Sequence, residues 1–402
     1  MLKRCAEKAT RHATNTLALL ICTAFPPPLL ISFPIILAEA PTSMFRRIVL
    51  ALALFAPVAL QASDPSTSDL IESGHFKRAQ VILTDRLKST ANDPRAHYEM
   101  SKVALAFGHW DDAIQHAEKA VSLDAKNADF QAQLAEAVVS KLSENAQLGF
   151  FDKLSLSRRY RKESDLALQL DPNNLVANSD LVEYLQEAPT MAGGDKKRAA
   201  DLADRMVHVN PLRGYLMKFE IATREKQTAA AEQALEQAIH ADPKSYDAHI
   251  AAANLYLQKG GGGLAQSEQH ARAALVLAPG RAAAYNILAT LYAQQARWTD
   301  LDSLLKDAQQ AVPDNAGPFY QAAKTILLSN QGLQFPRAEQ YLRTYLSQPP
   351  EGGEPSLTGA HWRLGLLLEK EGHKDQAKQE LQAAVNLDPT FEPARKDLKR
   401  LQ

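Results

Sequence analysis

A short sequence pattern recurs along the chain of 402 residues and limits the folds that it can adopt. In each copy, a segment rich in helix-forming residues ends at a proline or at a residue in its place. The ends fall at Pro94, Ala125, Pro172, Pro211, Pro243, Pro279, Pro313, Pro350 and Pro389. Their intervals scatter around about 34 residues, a length that fits two short helices with their connections. One such pair cannot bury its apolar face alone, so the repeat predicts a stack of helix pairs.

Small residues recur at fixed offsets from larger apolar residues within each copy. In the last copy, Gly365, Ala377 and Ala384 are the small residues, and Leu364 and Leu368 are the large ones. This alternation at helical spacing predicts two helices that pack closely against each other. Aromatic residues make up only 7% of the chain, and helix-favouring types are abundant. The composition therefore indicates an all-α protein.

The segment 360–389 carries the pattern most fully, with Gly372 at the turn between the two helices. It resembles the tetratricopeptide repeat, a helix-turn-helix unit of about 34 residues. The resemblance covers about residues 66–401 and implies a right-handed superhelical α-solenoid of about eight repeats. It also implies a shortened first pair and a C-terminal capping helix at about 391–402. Some copies depart from the family pattern, and Leu301 stands where the family usually has alanine.

The N-terminal part of the chain predicts export. From Met44 to Ala62 the sequence has two arginines, an apolar run and a small residue before a polar stretch, which is the order of a secretory signal peptide. The solenoid domain would then span 63–402 and lie in the periplasm or outside the cell. Residues 1–43 hold a second apolar run, interrupted by four prolines. Either this segment is not translated, or it anchors the product to a membrane as an uncleaved N-terminus.

The sequence contains no recognisable motif for catalysis, metal binding or a cofactor. The eleven histidines do not share the spacing of metal ligands on one helical face. Nucleophile motifs of the G-x-S-x-G type are absent. Both cysteines, Cys5 and Cys22, precede the predicted signal peptide, and the net charge of −1 gives no support to a nucleic-acid partner. We therefore expect a protein without enzymatic activity and without a cofactor.

The longest interval between turns contains an insertion at about 144–166. It carries two adjacent aromatic residues followed by a basic strip: Phe150, Phe151, Arg158, Arg159 and Arg161. One interpretation is a docking element with an aromatic anchor and cations for an anionic partner. The other is an elongated helix whose phenylalanines tuck under the next repeat and whose arginines are solvated. The sequence favours the elongated helix.

In the family that the chain resembles, the first helix of each pair lines a concave groove. Carried over by position, the groove residues are Tyr98, Lys102, Lys218, Asn254, Asn286, Thr290, Tyr320, Lys324 and Trp362. The family's clamp for C-terminal carboxylates needs Lys and Asn repeated in adjacent units, and this chain does not repeat them. A mixed groove of amide, cationic and aromatic side chains suits an extended peptide instead.

Three functions remain open from the sequence. The first is a non-enzymatic scaffold of the cell envelope that binds an extended protein or peptide segment in its concave groove. The second is a structural or assembly factor for envelope components, acting through its outer face or the 144–166 insertion. The third is accessory binding of a glycan or another small ligand to an aromatic patch. Trp362 stands out for the first function, because packing of a regular repeat does not require it.

Overall fold

The computed structural model describes residues 65–145 and 147–401. These residues form nineteen α-helices and no strand, so the all-α prediction is confirmed. The segment 1–43 and the predicted signal peptide lie outside the described residues. In chain order the helices are α1 (Thr67–Ser73), α2 (Phe76–Ser89), α3 (Pro94–Ala106), α4 (Trp110–Leu123), α5 (Ala128–Glu144), α6 (Phe150–Leu170), α7 (Leu175–Glu187), α8 (Lys196–Val209), α9 (Pro211–Arg224), α10 (Thr228–Ala241), α11 (Tyr246–Lys259), α12 (Leu264–Leu277), α13 (Ala282–Gln294), α14 (Trp298–Ala311), α15 (Gly317–Leu328), α16 (Phe335–Leu346), α17 (Leu357–Lys370), α18 (Lys374–Leu387) and α19 (Glu392–Leu401).

From α3 to α18 the helices form eight consecutive pairs, each of which packs against the next. A shorter pair, α1 and α2, precedes them, and α19 follows as the capping helix. First helices begin at capping side chains such as Asp93, whose Oδ1 accepts a hydrogen bond from the Ala96 amide at 3.0 Å. The α-solenoid of about eight repeats that the sequence predicts is therefore the fold observed.

The turn between the two helices of a pair contains one residue in the left-handed region. Gly372 has a φ of +87° and Gly108 a φ of +70° at this place. Lys226 and Ala296 occupy the equivalent place with φ of +59° and +54°. A residue with a side chain adopts this region at a cost of about 1–2 kcal/mol. The turn predicted at Gly372 is confirmed, and the same turn also forms in pairs that lack a glycine there.

Small residues lie where the two helices of a pair approach each other. Ala377 and Ala384 are fully buried, and a Cβ atom on Gly365 would lie 2.8 Å from the Leu381 side chain. Side chains in folded proteins do not pack so closely, so a larger residue at position 365 would displace Leu381. Leu301 is also fully buried, so its pair accommodates a larger side chain where the family usually has alanine.

The insertion at 144–166 contributes to α6, which has 21 residues. The prediction of an elongated helix is confirmed, but the prediction that its phenylalanines tuck under the next repeat is wrong. Phe150 is 68% exposed and Phe151 is 82% exposed. Helix α6 is longer than α5, with 17 residues, and α7, with 13. Its first turn therefore extends beyond the helices against which the rest of it packs.

Helices from the start of the described chain contact loops near its end. His75 Nδ1 lies 2.8 Å from Asp314 Oδ2, and Lys77 Nζ donates a hydrogen bond to the Asp314 carbonyl oxygen at 2.7 Å. The Gly353 amide donates to the Ala106 carbonyl oxygen at 2.8 Å. These contacts join α1 to α3 with the loops that follow α14 and α16. The clasp, as we call it, consists of His75, Lys77, Asp314, Glu351 and Gly353.

Glu351 is the most deeply buried acid of the clasp, at 2% exposure. The Lys77 amide donates a hydrogen bond to its Oε2 at 3.1 Å, and Lys77 Nζ lies 3.9 Å from its Oε1. Burial raises the pKa of Glu351, although the Lys77 contacts oppose that rise. The two residues are 274 positions apart in the sequence. A local sequence pattern could not have predicted this contact.

Protonation of His75 is expected to control the clasp near neutral pH. The hydrogen bond with Asp314 raises the pKa of His75, although burial and the positive charge of Arg78 oppose the charged form. Burial disfavours the charged form of Asp314, but its contacts with His75 outweigh this and lower the pKa of the carboxyl. A raised histidine pKa gives stability that is complete below the ordinary value of 6.5 and is lost as pH rises through the folded value. The raised pKa of Glu351 acts with the same sign, because its contribution to stability is lost as pH rises from 4.5 through the folded value.

Hydrogen exchange of the α2 amides would measure this pH dependence. After correction for the intrinsic rate of exchange, we expect α2 to open more often at pH 8 than at pH 6. His75→Ala should increase opening at pH 6 and remove most of the difference between the two pH values. Equal opening of the unsubstituted chain at pH 6 and pH 8 would contradict this account.

Candidate functional site

The first helices of successive pairs present one continuous face. The groove face, as we call it, contains the residues at one shared position of these helices: Lys102 (α3), Glu136 (α5), Glu183 (α7), Glu220 (α9), Asn254 (α11), Thr290 (α13) and Lys324 (α15). In six of these seven helices the preceding residue is fully or almost fully buried. The packing of each pair therefore fixes which side chains point along the groove face.

Tyr98 and Lys102 lie at the N-terminal end of the groove face. The Tyr98 ring is buried against Phe130, with the two ring centroids 5.3 Å apart. Lys102 Nζ lies 4.7 Å from the centroid of the Tyr98 ring, and the Arg95 guanidinium lies 4.8 Å from it. Cation–π contacts of this kind hold both cations in place. Tyr98 is thus a support for Lys102 and is not an exposed aromatic anchor.

Candidates near the C-terminal end already have intramolecular contacts. Asn286 Nδ2 donates a hydrogen bond to Glu354 Oε1 at 3.1 Å, so the loop 347–356 reaches the groove side of α13. Thr290 Oγ1 donates to the Asn286 carbonyl oxygen of its own helix at 2.9 Å. Tyr320 is buried in the core. The loop 347–356, which contains Glu351 and Gly353 of the clasp, therefore covers part of the groove at this end.

Trp362 contacts the capping helix. Its indole Nε1 donates a hydrogen bond to Asp397 Oδ2 at 2.9 Å, and its ring meets that of Phe391 edge to face, with centroids 5.7 Å apart. The final pair has no following pair, and α19 covers its open side instead. Trp362 therefore has a packing role in this copy that a regular internal repeat would not need.

The remaining groove candidates differ in their surroundings. Asn254 is exposed and Lys324 is half-buried. Lys218 forms an ion pair with Asp204 of α8 at 2.6 Å and lines a pocket of about 410 Å³ between the second helices α8 and α10. It lies two residues before Glu220 and therefore projects from a different side of α9. The structure thus separates Lys218 from the groove face.

Acidic residues that the predicted groove set did not include dominate the middle of the groove face. The acidic cluster, as we call it, consists of Glu136, Asp180, Glu183 and Glu220, from the consecutive first helices α5, α7 and α9. Arg224 lies beside it, with Nη2 2.5 Å from Glu183 and Nη1 3.7 Å from Glu220. Three of the four acids share the repeat position of Lys102 and Asn254. That shared offset is the signal by which the sequence could have revealed them.

The surroundings of the acidic cluster favour protonated carboxyl groups. Burial, followed by the negative charges of Glu136, Glu183 and Glu220, holds the pKa of Asp180 well above its ordinary value. Burial also raises the pKa of Glu136 and that of Glu220. Carboxylates that repel one another in a partly buried site favour a bound proton or a bound cation.

Buried polar atoms without partners adjoin the acidic cluster. The Gln133 side chain is 1% exposed and its contact with Glu136 lowers the pKa of that carboxyl, but its Oε1 atom has no hydrogen-bond partner in the described part of the chain. The Asp180 Oδ2 atom is likewise buried without a partner. The buried hydroxyls of Tyr160 and Ser164 in α6 lie close together, and Ser164 lowers the pKa of Tyr160. Burial and the charge of Asp180 raise the pKa of Tyr160 well above its ordinary value. Because a buried polar atom without a partner costs about 1–3 kcal/mol, this region lowers the stability of the fold.

Asp180→Asn is expected to stabilise the chain at neutral and alkaline pH. The raised pKa means that the folded chain holds this proton more tightly, so stability falls as pH rises from the ordinary value of 3.8 through the folded value. Asparagine keeps the shape without the charge and should add about 1–2 kcal/mol to the free energy of unfolding at pH 8. The gain should disappear near pH 4. Thermal unfolding at both pH values checks this, with Asp201→Asn on the exposed side of α8 as the control. A loss of stability at pH 8 would contradict it.

A second candidate surface lies on α6. The rings of Phe150 and Phe151 meet edge to face in the first turn, with centroids 5.6 Å apart, and both are exposed. Further along, Arg158 and Arg159 line an open depression of about 610 Å³. Arg159 forms an ion pair with a glutamate of α4 at 2.5 Å. Arg161 packs against the glycine loop that follows α7. The basic strip is therefore divided, because Arg158 and Arg159 line the depression and Arg161 faces this loop.

Histidine pairs occur between α3 and α4 and between α11 and α12. His97 Nδ1 lies 2.9 Å from His116 Nδ1, and His249 Nδ1 lies 3.0 Å from His270 Nδ1. Among residues 65–145 and 147–401, no group of three or more His, Cys, Asp or Glu side chains is arranged to hold a metal ion.

None of the helices described above is both long and apolar enough to cross a membrane.

A comparison with protein families identifies the repeat unit. The family description "Tetratricopeptide repeat" matches residues 358–391, which contain α17 and α18 with their turn. The seven preceding pairs have the same helix-turn-helix architecture. Residues 358–391 therefore match a tetratricopeptide repeat. The resemblance seen in the segment 360–389 is thereby confirmed.

Several solved structures are similar to this chain at low sequence identity. Yeast Tom70 is 13% identical, with 83% of this chain and 79% of that chain covered and a TM-score of 0.46. A tetratricopeptide repeat protein from Parabacteroides merdae is 14% identical, with 66% and 98% covered and a TM-score of 0.42. PilW, a type IV pilus biogenesis factor, is 20% identical, with 57% and 99% covered and a TM-score of 0.42. No curated protein matches the chain.

Tetratricopeptide-repeat proteins are generally non-enzymatic scaffolds, and their fold is typical of modules that bind other proteins. In this chain, two surfaces offer side chains that the core does not use. One is the groove face with its acidic cluster, and the other is the exposed first turn of α6.

Proposed function

We propose that the protein is a non-enzymatic scaffold of the cell envelope that binds an extended segment of another protein along its groove face. The observation that supports the proposal is the row of polar and charged side chains that consecutive first helices present on one face, from Lys102 to Lys324. Because the helical core packs without these side chains, they are available to contact the backbone and the side chains of a peptide.

The spacing of the helices fits an extended peptide. The axes of packed helices lie about 8–10 Å apart, and an extended chain advances about 3.3 Å per residue. Each first helix would therefore meet about every third residue of the peptide. The five first helices from α3 to α11 would together contact a segment of about ten to twelve residues.

A random library of 12-residue peptides displayed on phage, selected on the purified chain, tests this function. Peptides that are selected should bind the unsubstituted chain and lose at least about tenfold in affinity with Asn254→Arg, which places a long charged side chain on the groove face. Gln269→Arg makes the same change on the exposed side of the second helix α12 and should alter affinity less than about twofold. The proposal fails if no peptide is selected, or if both substitutions act alike.

Export is the second part of the proposal, and it rests on the order of residues in the segment 44–62. N-terminal sequencing of the protein purified from its fractionated native cells would test it. We expect a mature chain that begins at or near Ser63, in the periplasmic or secreted fraction. An intact N-terminus in the membrane fraction would favour the anchored form, and an intact N-terminus in the cytoplasm would contradict export.

The exposed Phe150 and Phe151 favour a second candidate, an assembly factor that acts through α6. Exposed aromatic residues beside cations are typical of protein interfaces. If this surface carries the function, Phe150→Ser with Phe151→Ser should abolish capture of a cellular partner while Asn254→Arg leaves capture unchanged. The opposite result would assign the function to the groove face.

A further inference from the structure

We infer that the acidic cluster is a subsite for one cationic group of the bound segment, either a lysine or arginine side chain or an N-terminal amine. This inference rests on the proposed function and names the chemistry that the middle of the groove face would recognise. The family's clamp for C-terminal carboxylates offers cations to an anion, whereas this cluster offers anions to a cation.

The balance of charge at the cluster favours a cation. Arg224 is shared among three carboxylates, because it also lies 3.2 Å from Glu187 in addition to its contacts with Glu183 and Glu220. Lys102 points its ammonium group at the Tyr98 ring. The charge of Lys102 lowers the pKa of Glu136 and so partly opposes the effect of its burial. Asp180 Oδ2 has no hydrogen-bond partner among the residues that the structure describes. The cluster therefore holds more carboxyl groups than cations, and a further cation would favour their ionised forms.

The buried polar atoms beside the cluster supply hydrogen-bond acceptors for the same group. Gln133 Oε1 and Asp180 Oδ2 are both buried and have no partner within the described segments. An ammonium group has three N–H donors and a guanidinium has five. A cationic side chain would therefore satisfy acceptors that the folded chain leaves without donors. An anionic ligand would leave them as they are and would add repulsion from four carboxyl groups.

A metal ion would be the alternative cation, but the cluster does not have the arrangement of ligands that metal binding requires. No metal-binding group of three or more His, Cys, Asp or Glu occurs in the portion of the chain that the structure describes. Binding of an organic cation should release the proton that Asp180 holds, so affinity for a cationic peptide should rise as pH rises through the raised pKa of Asp180.

The test uses the purified full chain and the same 12-residue phage library. We expect the selected peptides to be enriched in lysine or arginine at one shared position. In a synthetic copy of a selected peptide, replacing that lysine by norleucine, or that arginine by citrulline, should weaken binding to the unsubstituted chain at least about tenfold. With Glu220→Gln, with Asp180→Asn or with both, the same replacement should matter less than about threefold.

The controls keep this subsite distinct from the groove itself. Glu236→Gln on the exposed side of α10 removes one negative charge elsewhere and should retain the full effect of the lysine replacement. Circular dichroism and thermal unfolding establish that each variant is folded. If selected peptides show no cationic preference, or if the replacement costs the same in every variant, the subsite is refuted while the groove proposal stands. If no peptide is selected, both are refuted.

Discussion

Lys77→Ala is expected to open the clasp and to destabilise α1 and α2 by about 2–3 kcal/mol. Lys77 Nζ donates hydrogen bonds to the carbonyl oxygens of Asp314 and Pro349 at 2.7 Å each. A hydrogen bond that involves a charged group contributes about 1.5–3 kcal/mol. The same ammonium group lies 3.9 Å from the buried Glu351. Alanine removes all three contacts and leaves that carboxyl with backbone partners alone.

Hydrogen exchange is the appropriate measurement for Lys77→Ala, because repeat arrays open locally and a single unfolding midpoint can hide the effect. Amides of α2 near Ala79 and Leu83 should exchange about 30-fold to 150-fold faster, the equivalent of the expected loss in stability. Lys88→Ala on the same helix is the matched control, because Lys88 is 72% exposed and pairs only with Asp85. Equal exchange in the two variants would show that the clasp does not hold the first helices.

Gly214→Ala is expected to cost about 3 kcal/mol of stability, even though it adds only one carbon atom. A Cβ atom at this position would lie 2.2 Å from the backbone nitrogen and 2.5 Å from the Cα atom of Val207. Asn210 alone separates α8 from α9, and it caps α9 by accepting a hydrogen bond from the Arg213 amide at 3.1 Å. The two helices therefore cannot move apart locally without loss of the turn and its cap.

The close contact at Gly214 lies in the element that carries Glu220, so it also sets the geometry of the acidic cluster. We expect Gly214→Ala to lower the thermal midpoint and to weaken binding of a cationic peptide together. Gly280→Ala is the matched control, since a Cβ atom there has no atom within 4 Å. That variant should be within about 0.5 kcal/mol of the unsubstituted chain. Similar midpoints for the two variants would contradict the packing at Val207.

Much of the fold could be predicted because each repeat is specified locally. The buried Ala377 and Ala384, the close contact at Gly365 and the left-handed turn at Gly372 all follow from spacing within one copy. The clasp could not be predicted, because its contacts depend on how the whole array brings distant loops together. The exposure of Phe151 depends likewise on the length of α6 relative to its neighbours.

The sequence could predict where the candidate site lies, but not the burial and contacts of its residues. Glu136 shares the repeat position of Lys102 and Asn254, so the row of side chains could be predicted from the sequence. The burial of Gln133 and Tyr160 could not be predicted, because it depends on how α5, α6 and α7 pack. Trp362 looked dispensable for packing only while its contact with α19 was unknown.

Site-specific photo-crosslinking in living cells tests whether the groove face binds an extended segment of a partner protein. A photoreactive amino acid placed at Asn254 would report on the groove face, one at Gln269 on the outer side of the paired helix, and one at Phe151 on α6. We predict that crosslinks from position 254 map to one extended segment of a partner protein, and that positions 269 and 151 do not crosslink to that segment. Crosslinks confined to position 151, with none from position 254, would contradict a peptide-binding groove.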